Sequence, residues 1–420
     1  MMKKILSLTL VAMLAISCLA GCGGAAPSSP ASTPAASSKA ASSTPAPVAE
    51  TVKMTVWGAQ EDQELLTDLI EGFKKANPDK TYEITMGAVG EGEAKEKYLQ
   101  DPTAAADVFA FANDQLFDLV NAGGLYEVTK NKDAIVAANN ALSVDSATAQ
   151  DGKLYAYPMT ADNGYFMYYN KSVFTADDVK SFDGMLAAAD KAGKKVFMDV
   201  SNGWYIASFF FGNGGKMGTG ADGKAFCDFN NDKGVAAAEG IKAITAHKAF
   251  LTGDDNVLKG GFADGSVAAG ISGTWNAGDI KTALGDNYGV CKLPTFTCGG
   301  AQVQMSSYAG TKLIGVNSQT KSPLDAMALA EWLTNEQSQI KRYQLRQMGP
   351  SNINAAKAPE VLSNEALAAL NEQNKFATAQ KGVPGNFWTP GEALGTTLEA
   401  KDYSKSVKEL VDAMVAQILA

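Results

Sequence analysis

Histidine occurs once in the 420 residues, and arginine only at Arg342 and Arg346. The single imidazole, His247, falls near the C-terminal end of a predicted helix, where a cation suits the helix dipole, and it is not read as catalytic. Scarce arginine disfavours an anionic ligand, which would seek forked guanidinium donors. The five cysteines form no two-plus-two Cys/His spacing, so no structural metal site is expected. No nucleotide-binding Gly-Lys loop and no internal repeat stands out, and no cofactor is expected. A net charge of −9 and a pI near 4.9 deny nucleic acid the basic surface it needs and offer anionic lipid no attraction. The acidity reads as a solvated surface.

What is present points to an exported protein with two lobes. The length exceeds what one hydrophobic core usually supports, and 46% apolar with 19% charged residues is ordinary for a globular chain. Lys3 and Lys4 precede an apolar run, residues 5–19, that is short for a membrane span. It ends in Leu19-Ala20-Gly21-Cys22, which resembles the bacterial lipobox. There the cysteine is diacylated and becomes the mature N-terminus, and two acyl chains suffice for stable anchoring. Residues 1–22 are therefore expected to be a lipoprotein signal, with Cys22 lipidated; an ordinary signal with an accidental cysteine is the alternative. Cys227, Cys291 and Cys298 then remain, and spacing alone does not decide whether Cys291 and Cys298 pair. Residues 23–50, rich in Ala, Ser and Pro, carry no periodicity and read as a disordered tether. Such a coil spans roughly 30 Å, or about 85 Å when stretched.

The folded part opens with an alternating strand from Val52 to Trp57. A helix from Glu61 to Lys75 follows, with Leu65, Leu66, Leu69, Ile70 and Phe73 on one face, then a strand from Tyr82 to Met86. This is the start of a βαβ unit and an α/β lobe. Asp107 to Asp114 reads as a buried strand running into a polar turn. Extended runs at 154–158 and 165–169 flank Thr160 to Gly164, a crossing between lobes. A strand at 313–316 returns to the first lobe, and one long helix is expected from Pro323 to Arg346.

Phe262 to Trp275 draws the most interest. A helix end breaks at Gly265, a short strand of small apolar residues follows, and Ser272-Gly273-Thr274 turns to deliver Trp275. A ring on such a turn lines a cleft or plugs a core. Asn202-Gly203-Trp204-Tyr205 opens an aromatic helix, Phe387-Trp388 sits in a Pro/Gly-rich loop, and Trp57 lies between core and cleft rim. Asp114 is either a polar contact or a helix N-cap.

These motifs, in order from Val52 to the C-terminus, resemble the extracellular solute-binding proteins of bacterial ABC importers, in the cluster that includes maltose and maltodextrin binders. The carriers are Val56-Trp57 with its helix, Asp107 to Asp114, Tyr155 to Lys171, Phe262 to Trp275, Asn287-Tyr-Gly-Val with Leu293-Pro-Thr-Phe, and Phe387-Trp388. The resemblance implies an α/β, two-lobe periplasmic-binding-protein-like (Venus flytrap) fold with a multi-strand hinge. Residues 51–161 and 311–357 would form one lobe, 162–310 and 358–420 the other. Phe111, Trp204 or Tyr205, Trp275 and Trp388 fall where that family stacks sugars. Asp114 falls where a carboxylate grips hydroxyls, and Asp162 or Asn163 beside the hinge. The chain departs at Gln115, where a basic residue is expected, at Glu392, where an arginine is, and at Glu61-Asp62, which lack a lysine partner.

The chemistry agrees independently. A pyranose has apolar C–H faces, which flat rings cover, and a rim of hydroxyls, which carboxylates and amides take. Hydrogen bonds to charged groups contribute about 1.5–3 kcal/mol each, enough with stacking for micromolar capture, near −8 kcal/mol. The expectation is a lipid-anchored, monomeric, non-enzymatic receptor for a neutral oligosaccharide, malto-oligosaccharide foremost, which delivers to ABC permease transmembrane subunits. Two alternatives stand beside it. A surface glycosidase would need two facing carboxylates, for which Asp114 and Glu392 are the candidates. The other is a binder of a different solute class.

Overall fold

The computed structural model of the protein describes residues 50–220 and 223–420; the signal segment, Cys22 and the tether up to position 49 lie outside the described residues. Two five-stranded sheets organise the rest. The first has the order Thr81–Ala88, Thr51–Gly58, Val108–Ala112, Lys312–Val316, Ala156–Pro158. Its middle strand, Val-Phe-Ala-Phe-Ala, is buried at every residue, as a strand covered on both faces must be. Thr51–Gly58 instead alternates, burying Val52, Met54 and Val56. Helix Gln63–Ala76 lays Leu65, Leu66, Leu69, Ile70 and Phe73 onto this core. Lys312–Val316 enters antiparallel to Val108–Ala112, with Lys312 opposite Ala112.

The second sheet runs Phe250–Leu251, Lys195–Phe197, Val267–Ser272, Phe166–Asn170, Tyr288–Cys291. Met167, Phe182, Ile206, Phe209, Ile241 and Val411 belong to its separate core. A capping box at Ser406 and Glu409 starts the last helix, Val407–Ile418, which buries its apolar stripe against that core. Between the two lies a three-stranded sheet, Thr378–Ala379, Tyr308–Gly310, Asn163–Gly164, in which Asn163 faces Gly310 and Tyr308 faces Thr378. Three separate chain segments meet there, so this small sheet is the hinge and the fold has two α/β lobes.

Several expected elements are corrected. The helix expected over 323–346 is two helices, Pro323–Thr334 and Glu336–Arg346. Asn335 breaks it by turning extended and capping the second, its side chain accepting from the Ser338 N–H at 2.9 Å. Asp114 is no N-cap. It lies in a short 3-10 turn, Asn113–Gln115, and caps no helix with its side chain. Cys227, Cys291 and Cys298 are all free thiols. His247 terminates helix Asp232–Ala246, where its Nδ1 accepts from the Ala249 N–H. Among the described residues no helix is long and apolar enough to cross a membrane.

Candidate ligand-binding cleft

The second lobe contributes a wall of aromatic rings. Asn202 caps helix Gly203–Gly212 by accepting from the Trp204 N–H at 3.0 Å, which fixes Trp204 in the first turn. Its half-buried ring meets Tyr165 at 4.5 Å, Tyr205 at 5.1 Å and Trp275 at 5.8 Å between centroids. Trp275 arrives as the sequence suggests. Gly265, at φ 74°, ends helix Asp255–Asp264, the fully buried strand Val267–Ser272 follows, and Gly273 turns the chain. A Cβ at Gly273 would lie 1.9 Å from the Trp275 ring, so only glycine lets the indole fold back over its own turn. The indole is half-buried, and its Nε1–H donates to Asp255 Oδ2 at 2.9 Å. Trp388 starts helix Trp388–Glu399 beside Phe387 and Tyr308. Gly203 abuts it; a Cβ there would come within 3.4 Å of the Trp388 ring. Trp204, Tyr205, Trp275 and Trp388 therefore gather around one helix N-terminus.

Polar groups meet this wall at the hinge. Asp114 reaches out of the first lobe, and its Oδ1 accepts from Gln380 Nε2 at 2.6 Å. Burial pushes the Asp114 carboxyl up to about 6, although the Gln380 hydrogen bond favours the charged form. Asn163 Nδ2 donates to Gln380 Oε1 at 3.0 Å, and Trp204 Nε1 donates to the same oxygen at 3.1 Å. Asp162 is buried, and one of its oxygens is committed: Oδ2 accepts from Thr274 Oγ1 and from the Gly349 N–H, both at 2.6 Å, pinning the Trp275 turn to the hinge, while Oδ1 is buried without a partner. Lys312, first residue of the returning strand, places its Nζ 5.5 Å from the Trp275 ring centroid and 3.5 Å from Glu91.

Three of the expected residues stand apart from this group. Phe111 is fully buried in the first lobe, next to Phe109 and over Gly315, so its ring has no face left for a ligand. Trp57 packs on Phe109 and against Gly87, all within the first lobe. Glu392 is exposed; limited burial and then the nearby Glu96 raise its pKa.

The sequence departures have structural causes. Gln115 is buried and clamps a turn, accepting from the Lys95 N–H and donating to the Glu91 and Gly92 carbonyls. Asp62 has partners after all, supplied from the distant helix Glu336–Arg346: Arg342 Nη1 at 2.7 Å and Arg346 Nε at 2.9 Å. Burial alone would raise the Asp62 carboxyl, but Arg342, Lys312 and Arg346 together hold it below the usual range. Both guanidinium groups of the chain are thus spent on one internal carboxylate.

Sequence reasoning missed Gln380, Asp255, Lys312 and Thr274. Nothing local marks them: Gln380 lies 217, 176 and 266 residues from its three side-chain partners. A separate groove of about 370 Å³ passes Lys281, Tyr288, Tyr343 and Asn364, and none of the expected site residues lines it.

The model of the bacterial extracellular solute-binding proteins matches residues 68–369, more than half of the chain. The chain belongs to this family. A galactooligosaccharide-binding protein of Bacillus subtilis is 29% identical over 392 residues, covering 88% of this chain and 90% of that protein. A maltooligosaccharide ABC transporter solute-binding lipoprotein of Streptococcus pneumoniae is 27% identical, covering 76% of this chain and 79% of its own. Among solved structures, one determined with acarbose superposes with a TM-score of 0.81 at 31% identity, over 88% of this chain and 99% of that one. A family of solute-binding proteins, not of enzymes, removes the glycosidase alternative.

Proposed function

We propose that this protein is the lipid-anchored receptor of an ABC importer, and that it captures a neutral oligosaccharide, malto-oligosaccharide foremost, between its lobes. One observation carries the reading: the half-buried Trp204–Trp275 pair, at 5.8 Å, lies beside the hydrogen-bonding cluster of Asp114, Asn163 and Gln380. Rings flank the apolar faces of a pyranose, and the cluster takes its hydroxyls. Neutrality of the ligand is supported by the capture of Arg342 and Arg346 by Asp62. The ligand residues are Asp114, Asn163, Trp204, Tyr205, Trp275 and Trp388, with Asp162 holding the Trp275 turn. The lobes comprise 51–161 with 311–357, and 162–310 with 358–420. Cys22 carries the lipid, residues 23–50 tether the body to the outer face of the cell membrane, and the receptor acts as a monomer that docks on the permease transmembrane subunits.

A galacto-oligosaccharide is the second reading, favoured by the Bacillus relative of that name. Thermal shift and intrinsic tryptophan fluorescence against malto- and galacto-oligosaccharides of increasing length decide between them. A ligand at 100 times its dissociation constant adds about 2.7 kcal/mol of stability. A response to one series ranks the sugars. Silence across both series, with a clear shift for peptides or metal ions, rejects the sugar reading.

A further inference from the structure

Hydrogen bonds from three parts of the molecule converge on Gln380. Its backbone N–H donates to the Ala309 carbonyl at 3.0 Å, which fixes it on the hinge sheet, and the residue is 3% exposed. Oε1 accepts from Asn163 Nδ2 in the hinge and from Trp204 Nε1 in the second lobe, while Nε2 donates to Asp114 Oδ1 in the first. The amide orientation follows from its partners. Two N–H groups aim at one atom, which must be the oxygen, and a carboxylate faces the other, which must be the nitrogen. No other side chain of this length fills the position. Ionised glutamate has no donor for Asp114, methionine has no N–H, and asparagine is one methylene short. Gly310 makes room: a Cβ there would come within 2.6 Å of the Gln380 oxygen and 3.1 Å of Asn163 Nδ2.

We propose that Gln380 is the positioning residue of the cleft, a single amide that holds the Asp114 carboxylate, the Asn163 amide and the Trp204 indole in mutual register across the hinge. The proposal rests on the sugar-receptor reading for its ligand. Asp114 Oδ2 has no side-chain partner among the described residues and Trp204 is half-buried, so both still face a ligand while Gln380 holds them from behind. The ligand then finds a stacking ring and a hydroxyl acceptor already aligned and does not bear the cost of ordering them.

The test uses the whole protein with Gln380→Ala and Gln380→Glu, titrated calorimetrically with malto- and galacto-oligosaccharides. Gln380→Ala is expected to weaken binding about thirtyfold. Gln380→Glu sets a second carboxylate against Asp114, and such a pair ionises one member while the other keeps its proton. Its sugar affinity should recover as pH is lowered from 8 to 5, opposite to the wild type. The charged or titratable groups around Asp114, namely Lys95 and Asp118 in the first lobe and Tyr308 in the hinge, are common to both proteins, so the inverted profile belongs to the new pair. A purely structural glutamine would give no such inversion. A ligand-free arm follows deuterium exchange of the Trp204 indole N–H by NMR, expected at least tenfold faster in Gln380→Ala. Gln380→Ala binding within twofold of wild type, parallel pH profiles for Gln380→Glu and wild type, or unchanged indole exchange would each overturn the proposal. A wild type that binds neither sugar series fails the sugar reading instead, and the exchange arm still decides on Gln380.

Discussion

The two walls of the cleft are built by opposite means. In the second lobe the presented groups are rings, and each is placed by its own neighbours in sequence. Asn202 caps two residues before Trp204, Gly273 clears Trp275 two residues on, and Phe387 precedes Trp388. In the first lobe the comparable groups are carboxylates, Asp114 beside the rings and Asp62 and Glu91 in the interior, and each is held from far along the chain: Asp62 by Arg342, Asp114 by Gln380, Glu91 by Lys312. Rings hold their place mainly by packing, with one indole N–H each on Trp204 and Trp275 left to find a partner, Gln380 and Asp255. A carboxylate leaving water needs one, and only the tertiary fold supplies it. The comparison predicts that damage to the polar side reaches the whole fold, whereas damage to the aromatic side stays in the affinity.

The largest effect should come from Asp62. Arg342 is 1% exposed, and of its three nitrogens only Nη1 has a partner, Asp62. Asp62→Ala leaves that guanidinium buried and unpaired, a change that costs about 3–5 kcal/mol. Urea unfolding should report the loss without ligand present. The pH dependence has a definite sign. The folded pKa of Asp62 is depressed, so its stabilisation is complete above the unfolded value, near 3.9, and disappears as pH falls through the lower folded value. The gap between wild type and variant should therefore narrow only on the acid side of about pH 4. A loss under ~1 kcal/mol at neutral pH would place Asp62 among ordinary exposed ion pairs and dissolve the contrast.

Trp275 probes the other wall. Trp275→Ala should weaken sugar binding at least tenfold, about 1.4 kcal/mol, while leaving the unfolding midpoint near that of the wild type. The indole is half-buried, and Asp255, whose Oδ2 loses this donor, keeps Ser272 Oγ on its Oδ1 and is itself only half-buried. Unchanged affinity together with a large loss of stability would return Trp275 to the core.

The same contrast explains what the sequence made legible. Apolar periodicity and the βαβ start are local, so the two α/β lobes, the returning strand at 313–316 and the course from Gly265 to Trp275 could all be read in advance. That Trp204, Tyr205, Trp275 and Trp388 lie on chain turns that gather in one place was legible for the same reason. Phe111 was not: the resemblance gave its position along the chain, but strand alternation alone does not say which face of a sheet buried on both sides a ring occupies. Gln380 was invisible because its importance lies wholly in partners more than 170 residues away. The break at Asn335 was marked in the sequence by an Asn before Glu, a capping signal, and by the change from the apolar run of 323–334 to the polar run of 336–346.

The smallest effect is the most discriminating, because stability and affinity should move in opposite directions with pH. Burial raises the Asp114 carboxyl to about 6, above its value in the unfolded chain. The folded protein therefore takes up a proton between about pH 4 and 6 that the unfolded chain does not, so this group's stability penalty is full above about 6 and relieved as pH falls. Hydroxyl recognition runs the other way, since the ionised carboxylate is the better acceptor. If only that form binds, sugar affinity should fall about fourfold between pH 7.5 and 5.5 while the Asp114 contribution to stability improves. Asp199, also pushed up to about 6 by burial, adds to the stability change, so the measurement is the difference between wild type and Asp114→Asn. Asp114→Asn should bind more weakly at pH 7.5 with a flat affinity profile, and it should lose the acid-side stability gain. Affinity and stability that fall together on acidification, with the variant parallel to wild type, would mean that Asp114 is a support of the hinge and that the ligand's hydroxyls are held elsewhere.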